Sequence, residues 1–184
     1  MRTVGVAVLS IAFLTGAALG AGVTLPPPPA GFKTMNDGGT FAQMRAMGVA
    51  DRIEAEKPNP GWPNCIVDPK IDLTYGWSAV GSQQNIEMMA KSPEDPVSAV
   101  GGIKSEPAGK QRYKGGVMWW RKNTQQQVGT NCGALVTYSG SWAAYASGKM
   151  LSVSVARVYG SKQAGQALLD STIDKLVATM AGAH

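Results

Sequence analysis

Between Leu151 and Met180 the hydrophobic period of the chain changes once, from two to about 3.6, and this switch restricts the fold more than any other feature. Leu151, Val153 and Val155 alternate with Ser152, Ser154 and Ala156, the pattern of a half-buried strand. Gly160 breaks the run and Ser161 supplies an N-cap hydroxyl. Ala164, Leu168, Leu169, Ile173, Leu176, Val177 and Met180 follow at helical spacing, with Gln166, Asp170, Asp174 and Lys175 on the opposite side. A one-faced strand and a one-striped helix each need apolar cover, and a helix lying on one sheet face covers both. The small groups on the second strand face allow another layer to approach closely, or leave that face to water.

Further strands are expected upstream. Ile71–Tyr75 alternates with period two, and Asn85–Ala90 is read as a second strand. Ser92–Pro96 reads as a turn, Val97–Ile103 as a third strand and Lys104–Arg112 as a polar loop. Gly116–Lys122 is a fourth, with Val117, Trp119 and Arg121 on one face and Met118, Trp120 and Lys122 on the other. Cys132–Tyr138 is a fifth, followed by a turn around Gly140 or Gly148. Thr40–Met47 fits a short helix, and Glu54–Pro63, with three prolines and a glycine, reads as loop. The expected class is α+β, an antiparallel sheet of about six strands with a C-terminal amphipathic helix packed on one face. The expected division is a signal peptide over 1–20, an N-terminal arm over 21–69, and the sheet and helix over 70–184.

Met1-Arg2, the apolar run Val4–Leu14 and the small residues Gly16–Ala21 have the three parts of a secretory signal, with cleavage expected after Gly20. The alternative is an uncleaved anchor, since Val4–Leu25 is just long enough to span a bilayer. Pro26–Pro29 ends the run and favours a stiff, extended polyproline II arm. Export predicts a periplasmic or secreted protein with no transmembrane segment after cleavage. It also makes a disulfide between Cys65 and Cys132 the default, two buried thiols being the alternative.

Charge is divided along the chain. Ala21–Ile103 carries six Lys/Arg against nine Asp/Glu, whereas Lys104–His184 carries ten against three. The excess concentrates in Lys104, Lys110, Arg112, Lys114, Arg121 and Lys122, either a surface for an anionic partner or a solvated face that maintains solubility. Export and the lack of a recognition motif argue against nucleic acid.

The chemistry-bearing residues are few. The sole histidine is His184, the last residue, which excludes histidine-dependent nucleophilic triads and multi-imidazole metal sites from the rest of the chain. Glu94-Asp95 lacks the spaced oxygen ligands of a calcium loop, and no phosphate-binding glycine loop is present. Methionines are plentiful, but only Met44 and Met47 share a helical face, so core packing is preferred to copper binding. No cofactor, metal or catalytic residue is expected. The strongest lead is aromatic: Trp119, Trp120, Arg121 and Lys122, with Trp142 and Tyr145 beyond, could offer rings beside cations to a glycan, a protein or a lipid headgroup. The competing reading assigns most of these rings to the core.

Ile71-Asp72-Leu73-Thr74-Tyr75-Gly76-Trp77, then Ser92-Pro93-Glu94-Asp95-Pro96, then the closing strand and helix, follow the order seen in PsbP-like proteins. The chain resembles that family of small exported proteins over about 71–181; Gly76 stands where those chains usually carry proline, and 21–69 has no counterpart. The resemblance implies accessory or assembly roles rather than catalysis. Separately, Ser139–Tyr145 is similar to the inhibitory loop of periplasmic lysozyme inhibitors, although its spacing differs. The functional expectation is therefore a non-enzymatic exported binding or accessory module acting through an aromatic-basic surface. The alternative is an inhibitor or immunity-type protein that inserts the 139–145 segment into a partner enzyme.

Overall fold

The computed structural model describes residues 23–35, 38–59, 63, 70–94, 96–127 and 132–182. The expected signal peptide, Cys65, Asp95 and His184 lie outside the described residues. Among the described residues eleven elements follow one another: β1 (Lys33–Thr34), α1 (Gly38–Ala46), β2 (Ala50–Pro58), β3 (Lys70–Ser78), α2 (Gln83–Lys91), β4 (Ser98–Val100), β5 (Ile103–Tyr113), β6 (Gly116–Gln125), β7 (Leu135–Ala146), β8 (Lys149–Tyr159) and α3 (Lys162–Ala181). The strands form one antiparallel sheet of eight, rather than about six, in the order β1-β2-β3-β8-β7-β6-β5-β4.

The topology has one long crossing. After β3 the chain passes through α2 to the far edge at β4, then returns strand by strand until β8 pairs with β3. The hairpins of this return turn on Gly101-Gly102, Lys114-Gly115 and Ser147-Gly148, each with positive φ at both positions. Such two-residue turns match the right-handed twist of the strands they join.

The two sheet faces are covered unequally. On the first, α3 packs over β7, β8 and β3. Leu73, Tyr75, Trp77, Met118, Trp120, Trp142, Leu151, Val153 and Val155 meet Leu169, Ile173, Leu176 and Met180 there in one cluster. Ser161 caps α3 as expected, its hydroxyl accepting from Ala164 N. The buried side of α3 is turned relative to the expected stripe: Gly165 and Thr172 are inside and Val177 is 38% exposed. Gly165 is needed because a Cβ there would sit 3.0 Å from the Trp120 ring and from Val158.

On the second face α2 packs on β6 and β7, where Ile86 is buried against Val117 and Ala143. Ser141 and Ser154 meet hydroxyl to hydroxyl at 3.0 Å on this face.

Four expectations are corrected. Asn85–Ala90 is helix, because Ser82 accepts from Asn85 N and Ile86, Met89 and Ala90 share one face at helical spacing. Lys104–Arg112 is strand; its Pro107 is tolerated in a strand paired along most of its length on one side only, with a bulge between Pro107 and Gly109. Glu54–Pro58 belongs to β2, whose Ile53 and Ala55 lie opposite Tyr75 and Leu73. Ser139–Tyr145 is the middle of β7 and not a turn, so it forms no projecting wedge.

Candidate functional site

A concavity lies where the C-terminal end of α2 passes over the β5 bulge. It is a cleft of about 230 Å³ lined by Met89, Ser92, Pro93, Glu94, Pro107, Gly109, Lys110, Trp119, Trp120 and Arg121. Each wall has a local cause. Strand alternation sends Trp119 to the α2 face, where it is half-buried beside the Ile86 cluster. In α2 the Ser92 N–H and hydroxyl both bond Met88 O, which ends the helix and sends Pro93 and Glu94 over the sheet. Lys110 lies opposite Trp119 in the β5–β6 ladder, and Arg121 lies opposite Pro107.

The electrostatics are set by which cations are already matched. Arg112 pairs with Glu87, and the guanidinium hydrogen bond holds that carboxyl below its usual range. Lys104 and Lys122 both bridge to Glu106 at 3.2 Å and lower its carboxyl in the same way. Lys114 pairs with Asp174, whose hydrogen bond raises the ammonium. In contrast, Lys110 Nζ donates to the neutral Ser92 carbonyl. Arg121 is a held cation like the others: it donates to Ser105 Oγ at 2.8 Å and to the Ser105 and Pro96 carbonyls at 3.2 Å, which fixes its guanidinium against β5. The cleft thus joins an indole, two proline rings and a thioether to two cations, with the Glu94 carboxylate at its rim.

An adjoining hollow of about 210 Å³ shares Ser92, Glu94 and Lys110 and extends along β5 to Gln111 and Arg112. On the opposite sheet face a polar hollow of about 190 Å³ is lined by Gln111, Trp120, Lys162 and Gln166. Lys162 Nζ there donates to the Ala108 carbonyl at 3.1 Å, within the bulge. Among the described residues no group of three or more metal-ligating side chains occurs.

The six aromatic and basic residues singled out from sequence separate. Trp119 and Arg121 come together in the cleft. Trp120 is buried on the α3 face, where its Nε1 has no hydrogen-bond partner. Lys122 lies on that same face and is held by Glu106. Trp142 is fully buried and donates its Nε1–H to the Tyr113 carbonyl at 2.8 Å, so its ring is not available as a surface anchor. Tyr145 is half-buried against the α2 cluster.

Sequence reasoning missed the α2 side of the cleft and the bulge. Met89, Pro93 and Glu94 were obscured by reading α2 as strand; Ser82 followed by apolar groups at Ile86, Met89 and Ala90 was the available helix signal. In the sequence Lys110 is one of a run of cations, with no local signal that sets it apart.

No family model, no curated protein and no solved structure matches the chain. No helix among the described residues is long and apolar enough to cross a membrane.

Proposed function

We propose that the chain is an exported, non-enzymatic binding module whose Trp119 cleft takes an acidic group with an apolar face, as an acidic sugar residue presents. The observation that carries this reading is the half-buried Trp119 ring beside Lys110, a cation bonded only to a neutral carbonyl. A sugar ring stacks its C–H face on an indole, and the Lys110 ammonium attracts its carboxylate. A cleft of about 230 Å³ is small beside the roughly 300–1,000 Å³ of drug-sized sites and suits one monomer of a longer polymer. Export is supported by the basic start, apolar run and small residues of the first 21 positions. A Cys65–Cys132 bridge belongs to the same reading: these are the two cysteines of the chain, and no described cysteine is a free thiol. An accessory role also agrees with what the resemblance to PsbP-like proteins implies.

The inhibitor reading needs a projecting 139–145 segment, and that segment is strand. The test is titration with oligogalacturonate, with an acidic peptide and anionic lipid vesicles in parallel. Saturable oligogalacturonate binding that Trp119→Ala and Lys110→Ala each weaken at least tenfold supports the assignment. Binding that both variants retain, or preference for peptide or vesicle, contradicts it.

A further inference from the structure

A proline arm precedes the first strand. Val23–Pro29 forms neither helix nor strand and crosses the α3-side face of β3. Leu25 is its anchor, only 6% exposed within the main cluster. Two aromatic side chains of β3 grip its backbone: Tyr75 donates its hydroxyl to the Pro26 carbonyl at 2.6 Å, and Trp77 donates Nε1–H to the Val23 carbonyl at 3.3 Å. Those carbonyls are three residues apart. Polyproline II repeats every three residues, so carbonyls at that spacing point the same way, and the backbone itself makes no internal hydrogen bonds. Tyr75 and Trp77 alternate on one strand face, which sets their donors along one side of the arm.

Aromatic side chains reading the carbonyls of a preformed, low-entropy proline-rich segment are a recognition mode in their own right. We propose that the Tyr75–Trp77 face is a polyproline II recognition groove, filled here by the chain's own arm, and that it takes the equivalent arm of a second copy in trans. The occupant is specified by the groove: a Val-x-Leu-Pro register that puts Leu25 in the core and the Val23 and Pro26 carbonyls on the two donors.

A single tight turn joins the arm to the sheet. It is closed by Phe32 N donating to the Pro29 carbonyl at 3.1 Å and contains Gly31 at φ +83°, with open space around it. In an exchange at this turn the arm would meet the same two donors and the same Leu25 pocket on a neighbour, which is the economy of domain swapping. The short connection gives the arm an effective concentration on the order of millimolar in cis, so exchange needs either high protein concentration or a disabled cis arm.

The experiment uses the full chain carrying Leu25→Asp, which places a charge where the groove is apolar. Its probe is a synthetic peptide of residues 22–32, and the readout is the ¹⁵N indole signal of Trp77, assigned by its loss in Trp77→Phe. The signal should move in the variant, return toward its wild-type position as peptide is added, and ignore a peptide carrying the same Leu-to-Asp change. The wild-type chain should respond at least tenfold more weakly, because its own arm competes. Should Leu25→Asp fail to fold, the same titration is run on Pro27→Gly/Pro28→Gly, which loosens the arm without touching its anchor. A Trp77 signal unmoved by arm substitution, or a displaced signal that the peptide does not restore, overturns the proposal.

Discussion

The indole of Trp120 lies directly against the backbone of Gly140, so close that a Cβ on Gly140 would stand 2.7 Å from three ring carbons. Gly140 is on β7, opposite Trp120 on β6. Gly165 of α3 presses on the same ring from the helix side. A large ring therefore holds helix and sheet together only because two facing positions lack side chains.

Gly140→Ala should destabilise the fold by about 1–3 kcal/mol, the usual cost of overpacking a filled core. Trp120→Phe in the same background should recover part of that loss, since the smaller ring vacates the space and also removes a buried N–H without an acceptor. Denaturant unfolding of both single variants and the double variant measures the coupling. Additive effects would mean that the two residues do not share this contact.

Tyr75 predicts a loss of stability in alkali. Burial pushes its hydroxyl up to about 12 from an ordinary value of 10.0. A pKa raised in the folded state gives stability that is complete below the unfolded value and disappears as pH rises between those two values. Phenolate absorbance should therefore show Tyr75 titrating late, together with Tyr113, which burial also raises. Tyr75→Phe should remove one phenolate's share of the late step. An unchanged late step would show that Tyr75 is not the shielded group.

The proposed Cys65–Cys132 bridge predicts a single disulfide-linked peptide in a non-reducing digest of the exported protein. Closing a loop of that length stabilises by about 4 kcal/mol in the chain-entropy view, so reduction should lower the unfolding midpoint sharply. Alkylation of both thiols without reduction is the opposing result.

Legibility in the sequence followed the strength of periodicity. The β8 and α3 pair was readable because its period changes cleanly and Ser161 marks the junction. The opposed faces of β6 were readable by alternation alone, and so was the separation of Trp119 from Trp120. α2 was misread because Ile86-Glu87-Met88 also alternates; Met88, 53% exposed, shows that the helical period governs instead. β5 was hidden by Pro107 and Gly109, which mark loops in isolation and mark a bulge when a neighbouring strand supplies the ladder. The cleft depends on that bulge and on where α2 ends, two tertiary facts with no period of their own. The prolines of the arm point to a stiff, extended segment, but nothing local announces Tyr75 and Trp77 as the side chains that hold its backbone.

The cleft and the arm lie on opposite faces of the sheet, and their substitutions should act independently. Trp119→Ala should leave the Trp77 indole signal in place, and Leu25→Asp should leave ligand affinity within about twofold, as expected for distant sites without shared partners. Affinity and indole spectra measured on the two variants test this. Coupling beyond that range would show that the two faces communicate.

The most direct test of the binding assignment is an indole-resolved NMR titration of the ¹⁵N-labelled chain with oligogalacturonate. The account predicts that the Trp119 Nε1–H signal shifts with saturation while that of buried Trp142 does not, and that Lys110→Ala weakens the response at least tenfold. A Trp119 signal that stays in place at concentrations where the ligand binds elsewhere would contradict it.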